Sequence, residues 1–313
     1  YPDAKTHISP FPDYPEPDIS RRGSGMLFND SGYILTAAHL FRSFQEQTAT
    51  IQLRGHTYTA RIISTDFFED LALLKIDMPS EKKFTPLNFG RKKELRIGDP
   101  IFIMGNPSAN ESSFIETTTD GTISKMGGSV YYDDPSREVV SGLIITNAFA
   151  YGGNSGGPLF QCHDGEPRII GIVIGRLFSS LSFAVPIEKF QSNFSRMKSN
   201  TLSHGFLGIK GKGLKKISEQ EKFERNINRD TEGILVEKDL FFDKKDKTRI
   251  SSGDIIQFIN DKPARDILEV SAFLAELPAG RKVVVKVLRD NKKQTLHVVL
   301  KDRLQRIRNK DEL

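Results

Sequence analysis

The chain of 313 residues holds a single cysteine, Cys162. An internal disulfide is therefore excluded, and stability has to come from packing. Cys162 reads as a small residue near a strand end rather than as a nucleophile. No apolar run approaches the roughly 18 residues that a membrane-spanning helix needs. The six histidines, His7, His39, His56, His163, His204 and His297, lack metal-ligand spacing, so no metal and no cofactor is expected. Charge of one sign is in short supply too: 45 basic against 40 acidic residues leave only +5, with a pI near 9.1. The basic residues are not interleaved with aromatics in the RNA-binding manner, so no nucleic-acid partner is expected.

Hydrophobic residues make up 37% of the chain and charged residues 27%, an ordinary balance for a globular protein. The length allows a large core and two domains. The sequence opens at Tyr1 and reaches its first methionine at Met26, so a processed or excised form that has lost any secretion signal is expected. Residues 1–20, with five prolines and little apolar periodicity, read as an extended arm without a core of its own.

From residue 21 to about 198 the pattern is short apolar stretches between Gly, Asn, Asp and Pro. "GSGMLF" and "YILTAA" flank the turn "NDSG"; "TATIQL" and "TYTARII" flank "RGH". "LALLKI", "DPIFIMG", "DGTISKM", "GLIITNA", "RIIGIVIG" and "LSFAVPI" follow. Such spacing predicts an all-β barrel or sandwich. Ile187, Phe190 and Phe194 recur at helical spacing, so a helix over 187–200 closes this domain. A second unit, 201–303, reads as a small α+β module with strands "FLGIK", "GILVEK", "DIIQFIN", "KVVVKVLR" and "TLHVVLK". Its one expected helix, "DILEVSAFLAEL", carries Asp266 as its cap and Glu269 three residues on, a capping box. Residues 304–313 form a basic tail.

The segment "YGGNSGGP" sets Ser155 among glycines. A serine hydroxyl is a poor nucleophile until a base removes its proton, and the base needs a carboxylate to orient it. His39 in "YILTAAHL" is the base candidate and Asp70 in "FFEDLALLKID" the carboxylate. The chain order His39, Asp70, Ser155 is the chymotrypsin order. The segment also satisfies G-x-S-x-G, but a nucleophile elbow opens a helix, and here "LFQCHDGEPRIIGIVIG" continues as strand, turn, strand. Gly152 and Gly153 let the backbone turn its N–H groups inward. Donors at Gly153 and Ser155, joined by Asn154, are placed to hold an oxyanion.

Together, "GSGMLFNDSGYILTAAHL", "DLALLKID", "IGDPIFIMGNP", "TTTDGTISKM", "GGNSGGPLF" and "LSFAVPI" resemble the HtrA (Deg) family of serine proteases. The second unit resembles that family's PDZ domain. The likeness covers residues 21–303 and implies a mainly β fold: a chymotrypsin-like double β-barrel followed by a small α+β PDZ domain. It further implies an ATP-independent endopeptidase that cleaves unfolded or damaged proteins and assembles as a trimer or larger. On that likeness His39 is the general base, Asp70 its orienter and Ser155 the nucleophile, with Gly153, Asn154 and Ser155 framing the oxyanion site. Trypsin-like zymogens place an aspartate before the serine to pair with a freed N-terminus. Asn154 cannot form that ion pair, so activation by N-terminal cleavage is not expected, and loop ordering or oligomer contacts would switch the site instead.

The chain departs from the family in "TNAFAYGG". Phe149, Ala150 and Tyr151, with Phe183, are the candidate S1 residues. Phe149 at the pocket base supplies no charge for Lys or Arg, which implies an apolar P1 preference; simple packing of Phe149 in the core is the other reading. "GFLGIK" resembles the PDZ carboxylate-binding loop, with N–H groups around Phe206, Leu207, Gly208 and Ile209 facing a peptide C-terminus and the helix as the opposite wall. Lys210, Lys212, Lys215 and Lys216 read as a solvated loop. The final Lys310-Asp311-Glu312-Leu313 spells an ER-retention address, yet the likeness is of bacterial type. The periplasm or cell envelope is therefore expected, with the ER lumen as the alternative. Three N-x-S sequons, at Asn29, Asn110 and Asn193, permit glycosylation. A chaperone or peptide-binding protein of the same architecture, and a secreted protein acting on a host, are the competing functions.

Overall fold

The computed structural model describes residues 22–41, 46–77, 88–109, 112–113, 116–130, 140–177, 180–239 and 249–304. The Pro-rich arm, the Asn110 sequon, the tail beyond Leu304 and the terminal Lys-Asp-Glu-Leu lie outside these residues. Two compact units follow one another, the first running to Leu202 and the second starting at Ser203. Both are built mainly of strands, as the alternation of short apolar stretches and turn residues predicts.

In the first unit, β1 (Gly25–Leu27), β2 (Tyr33–Thr36), β3 (Thr48–Leu53), β4 (His56–Asp66) and β5 (Leu71–Ile76) form one antiparallel sheet in the order β1-β2-β5-β4-β3. The central strand β5 reads as an almost unbroken apolar run because both its faces are covered. Leu71, Leu73, Leu74 and Ile76 are each at most 1% exposed, and full burial of such a side chain contributes about 1.5–3 kcal/mol.

The second sheet of this unit begins with β6 (Asn88–Phe89) and β7 (Pro100–Gly105); β8 (Ser108–Ala109) and β9 (Ser112–Ser113) make a separate small hairpin. Then come β10 (Thr117–Val130), β11 (Val140–Thr146), β12 (Pro158–His163), β13 (Glu166–Leu177) and β14 (Leu181–Pro186). The order is β12-β7-β10-β11-β14-β13-β6, and β12 also pairs with β13. That extra pairing closes a six-stranded barrel, with β6 attached in parallel to β13. Ile101, Ile103, Ile123, Ile144, Leu159 and Val173 fill its interior.

Helix α1 (Ile187–Lys198) follows β14 directly. It docks on the first sheet through aromatic edges. Phe28 lies 5.0 Å from Phe190 and 5.3 Å from Phe194, both edge-on, and Tyr33 lies 5.8 Å from Phe194. Pairs of this geometry are worth about 0.5–1.5 kcal/mol each beyond their buried area. The same helix corrects the sequon reading: Asn193 is only 7% exposed and its Oδ1 accepts from the Arg196 guanidinium. Its amide is not on offer to a glycosylating enzyme in the folded chain.

The second unit holds β15 (Gly205–Phe206), β16 (Ile209–Gly213), α2 (Glu219–Glu224), β17 (Ile234–Asp239), β18 (Ile255–Ile259), β19 (Lys262–Pro263), α3 (Ile267–Ala275), β20 (Lys282–Arg289), β21 (Lys292–Val299) and β22 (Lys301–Asp302). Its main sheet runs β16-β17-β18-β20-β21, and α3 packs Val270 and Leu274 against Leu207, Ile209 and Val285. Two expectations are revised here. "FLGIK" is not one strand: Gly208, at φ +77°, breaks it between β15 and β16. A second helix, α2, is present, capped by Ser218, whose side chain accepts the Glu221 N–H at 3.1 Å. The S-x-x-E signal for it was legible, but a six-residue helix shows too little periodicity to be noticed. Lys212, Lys215 and Lys216 are solvent-facing and pair with Glu237, Glu232 and Asp266.

Asp266 caps α3 by accepting the Leu268 N–H at 2.7 Å. Partial burial pushes its carboxyl upward, but the bonds from Leu268, Lys216 and Glu269 outweigh this and hold it below the usual aspartate range. Asp266→Ala should cost about 1 kcal/mol, read as faster amide exchange across 267–275. A depressed carboxyl contributes stability that is present above its unfolded value and lost as pH falls. The gap between wild type and variant should therefore narrow below about pH 4.

Candidate active site

One turn and one strand end build the acid–imidazole pair. Asp66, fully buried, accepts the N–H groups of Phe68 and Glu69 at 3.1 Å each, which folds the chain back before β5. The turn ends on Asp70 at φ +57°, a left-handed conformation that costs most residues but that short Asp and Asn tolerate. His39 sits in the single helical turn Ala38–Leu40 after β2. One Asp70 oxygen accepts the His39 backbone N–H at 2.8 Å, and the other lies 2.7 Å from His39 Nδ1. The Asp70 carbonyl accepts the Ala38 N–H at 3.3 Å. Both residues are buried, Asp70 to 1% exposure. An ionised carboxylate only accepts, so Nδ1 carries the proton and Nε2 is the basic atom.

The Ser155 loop spans Tyr151–Gly157 between β11 and β12. Asn154 N–H donates to Tyr151 O at 3.0 Å and Gly157 N–H to Asn154 O at 2.9 Å, two successive tight turns. Gly153 and Gly156 take φ +97° and +86°. At Gly156 a Cβ would also run into Thr36 Oγ1 and the Ser24 carbonyl, and would lie 2.9 Å from Ala37 N. The loop thus rests directly on the strand end that carries His39.

Ser24 does the fastening. Its N–H donates to Ser155 O at 2.8 Å, its hydroxyl donates to Gly153 O at 2.7 Å, and that hydroxyl accepts the Asn106 N–H at 2.8 Å. Thr36 Oγ1 closes the knot by donating to Ser24 O at 2.6 Å. On the other side, Gly156 N–H reaches Val173 O at 2.7 Å. With these carbonyls engaged, the N–H groups of Gly153 and Ser155 have no acceptor among the described residues. Asn154 is wholly buried, and neither its amide nitrogen nor its amide oxygen has a hydrogen-bond partner among the described residues. Burying an unpaired amide costs roughly 1–3 kcal/mol, a cost offset by the loop's two internal turns together with its bonds to Ser24 and Val173.

The candidate pocket residues gather beside this loop. Ser182 Oγ donates to Ala148 O at 2.7 Å and accepts the Ala150 N–H at 3.0 Å, and Thr119 Oγ1 donates to Phe149 O at 2.9 Å. Phe149 is half-buried rather than a core residue; its ring meets Tyr151 edge-on at 4.6 Å. Ala150 and Phe183 are buried, whereas Tyr151 is 48% exposed. Sequence reasoning missed Arg176, whose guanidinium lies 4.9 Å from the Phe149 ring centre. It stands at the end of an apolar strand, where a lone arginine reads as a surface residue. Ser24 was missed as well, because "GSG" announces only a turn.

In the second unit, Phe206, Leu207 and Ile209 are all buried side chains, so only backbone groups are offered there. Phe206 pairs with Lys301 of β22, while the N–H groups of Leu207 and Gly208 have no acceptor among the described residues. Strand β16 is the end of its sheet, with α3 packed nearby.

Residues 23–172 match the trypsin-like peptidase domain. A probable periplasmic serine endoprotease of DegP-like type from Rickettsia conorii is 32% identical over 285 residues, covering 88% of the chain and 53% of that relative. The periplasmic pH-dependent serine endoprotease DegQ of Escherichia coli is 32% identical over 302 residues, covering 92% of the chain and 61% of the relative. The chain thus spans little more than half the length of these relatives. Among solved structures, the HtrA-type protease AlgW with a decapeptide superposes with a TM-score of 0.73 at 25% identity, covering 90% of this chain and 82% of that one. A serine endoprotease from Yersinia pestis gives 0.62 at 25% identity over 90% of the chain and 88% of that structure. With its chymotrypsin-like arrangement and a likeness extending over nine tenths of its length, the chain carries a trypsin-like peptidase domain and is homologous to the DegP and DegQ proteases of the HtrA (Deg) family.

Proposed function

We propose that the chain is an ATP-independent serine endopeptidase of protein quality control. The observation that carries this reading is the Asp70–His39 pair, with Asp70 gripping both the ring and the backbone of His39, beside a Ser155 loop fastened to the same strand end. His39 Nε2 takes the proton from Ser155 Oγ as that oxygen bonds to the scissile carbonyl carbon. Asp70 stabilises the resulting imidazolium, and the N–H groups of Gly153 and Ser155, framed by Asn154, hold the oxyanion. His39 then returns the proton to the leaving amine, and a water repeats the cycle in reverse to release the acyl group. Loss of one oxyanion donor typically lowers turnover by about 10²–10³.

Phe149, Ala150, Tyr151 and Phe183 form the S1 side of the cleft in this reading. An aromatic base suits an apolar P1 residue. Arg176 above Phe149 adds a repulsive element against Lys and Arg. In the second unit, a PDZ domain over 201–303, the N–H groups around Leu207, Gly208 and Ile209 receive a peptide carboxylate while the free edge of β16 takes the peptide as an added strand. AlgW was solved with a decapeptide and with a tripeptide, which supports polypeptide recognition by this architecture. In this reading the substrates are unfolded polypeptides and the assembly is a homotrimer or larger; the compartment is the periplasm or cell envelope, a placement supported by the periplasmic relatives. Among the described residues no helix is long and apolar enough to cross a membrane.

Ser155→Ala should abolish both casein cleavage and covalent labelling by a fluorophosphonate probe, with the circular dichroism spectrum retained. Labelling that persists in the variant would exclude Ser155 as the nucleophile, and wild-type protein that neither labels nor cleaves would favour the chaperone reading. In a P1-varied peptide set, Val or Leu should exceed Lys in kcat/KM by at least about tenfold, equivalent to about 1.4 kcal/mol. Arg176→Ala should narrow that gap, measured on the same set.

A further inference from the structure

Beside the catalytic carboxylate lies an ion pair that the peptidase reading leaves without a task. Glu69 directly precedes Asp70 and is only 8% exposed. The Lys189 ammonium of α1 donates to the Glu69 carboxylate, and donates to the Ser141 carbonyl of β11 at 2.7 Å. The lysine stem runs over Gly142, where a Cβ would come within 3.7 Å of Lys189 Cε. One ammonium therefore ties three separate parts of the first unit: the turn of the first sheet that carries Asp70, the start of β11 in the six-stranded barrel, and the closing helix.

The turn needs such a tether. Its backbone bonds to Asp66 fix Phe68 and Glu69, but Asp70 itself stands at φ +57°. A non-glycine residue persists there only when its surroundings over-determine it. Asp70 also makes three bonds to Ala38 and His39, two of them through its carboxylate, so a rotation of the Glu69–Asp70 peptide would swing the imidazole with it. Fixing the side chain of residue 69 from outside the turn removes that freedom.

We propose that the Glu69–Lys189 pair is a positioning device that holds the Asp70 carboxylate, and through it the His39 ring, in register with Ser155. The pair links this alignment to the six-stranded barrel through Ser141. The proposal rests on the peptidase reading for its kinetic consequence but not for its structural one. Two readouts keep the two apart.

Glu69→Gln and Lys189→Met should each lower kcat on a peptide substrate by about 10- to 100-fold, the scale of a small misplacement of reacting groups. KM should stay within about twofold, since no substrate-binding group is touched. The rate of fluorophosphonate labelling of Ser155 should fall in parallel, and Lys189→Arg should recover most of the loss. Independently of activity, the far-downfield proton resonance of His39 Nδ1–H should shift or broaden in Glu69→Gln and Lys189→Met. The resonance should keep its place in Lys189→Arg. An unchanged resonance, or an unchanged kcat with only a lowered unfolding midpoint, would overturn the proposal and leave the pair as a structural brace. If wild-type protein cleaves nothing, the peptidase reading falls and the resonance alone decides the positioning role. Should Lys189→Met fail to fold, Glu69→Gln, which keeps size and hydrogen-bonding capacity, carries the test.

Discussion

A single buried carboxylate fixes the histidine of the candidate site. Asp70 spends one oxygen on the His39 backbone N–H and the other on its ring nitrogen, so the imidazole is fixed in both position and tautomer. That double bond to one residue requires the acid to leave its turn in a left-handed conformation. The turn in turn depends on Asp66, which has no exposure to solvent at all. Each element is costly alone, since burying carboxylates and adopting positive φ both raise the free energy. They persist because each carboxylate has N–H donors already in place.

The Ser155 side follows a different logic. Around Ser155 the chain has almost no side chains, and its shape is imposed from outside by Ser24, Thr36 and Val173. Carbonyls are consumed by these partners while the N–H groups of Gly153 and Ser155 find no acceptor among the described residues. A backbone that has spent its acceptors and kept its donors presents positive potential, which suits an oxyanion. The amide of Asn154, buried and unpartnered among the described residues, shows that the loop carries a real energetic cost. A trypsin-like zymogen would settle that position with an ion pair to a new N-terminus; an amide cannot.

Much of this was legible beforehand, and for definable reasons. The "LALLKI" stretch announced a strand, and the structure supplies the reason for its unbroken apolar run, since Leu71 to Leu74 and Ile76 are buried on both faces. Ile187, Phe190 and Phe194 announced a helix by spacing, and the aromatic edges confirm which face docks. Asp266 announced a cap, which it makes, although among the described residues Glu269 returns no side-chain bond to complete the box. "FLGIK" misled because apolar residues on both sides of Gly208 hide a break that only the positive φ reveals. Asn193 misled for the opposite reason: a sequon is three residues long and knows nothing of burial. Phe149 had two readings in the sequence, and the structure adds what neither could supply, a half-buried ring facing Tyr151 and Arg176.

The amino-acid order alone determined the element types, the two-unit organisation and the identity and order of His39, Asp70 and Ser155 as candidates. Those follow from periodicity, turn chemistry and short motifs, all of which act over about ten residues or fewer. Only the tertiary structure decided what surrounds them: Ser24 bonded to Gly153 across 129 positions, Lys189 to Glu69 across 120, and Arg176 laid over Phe149. Contacts at such separations depend on sheet order and barrel closure. A hydroxyl or an ammonium carries no local signal of which distant carbonyl it will meet.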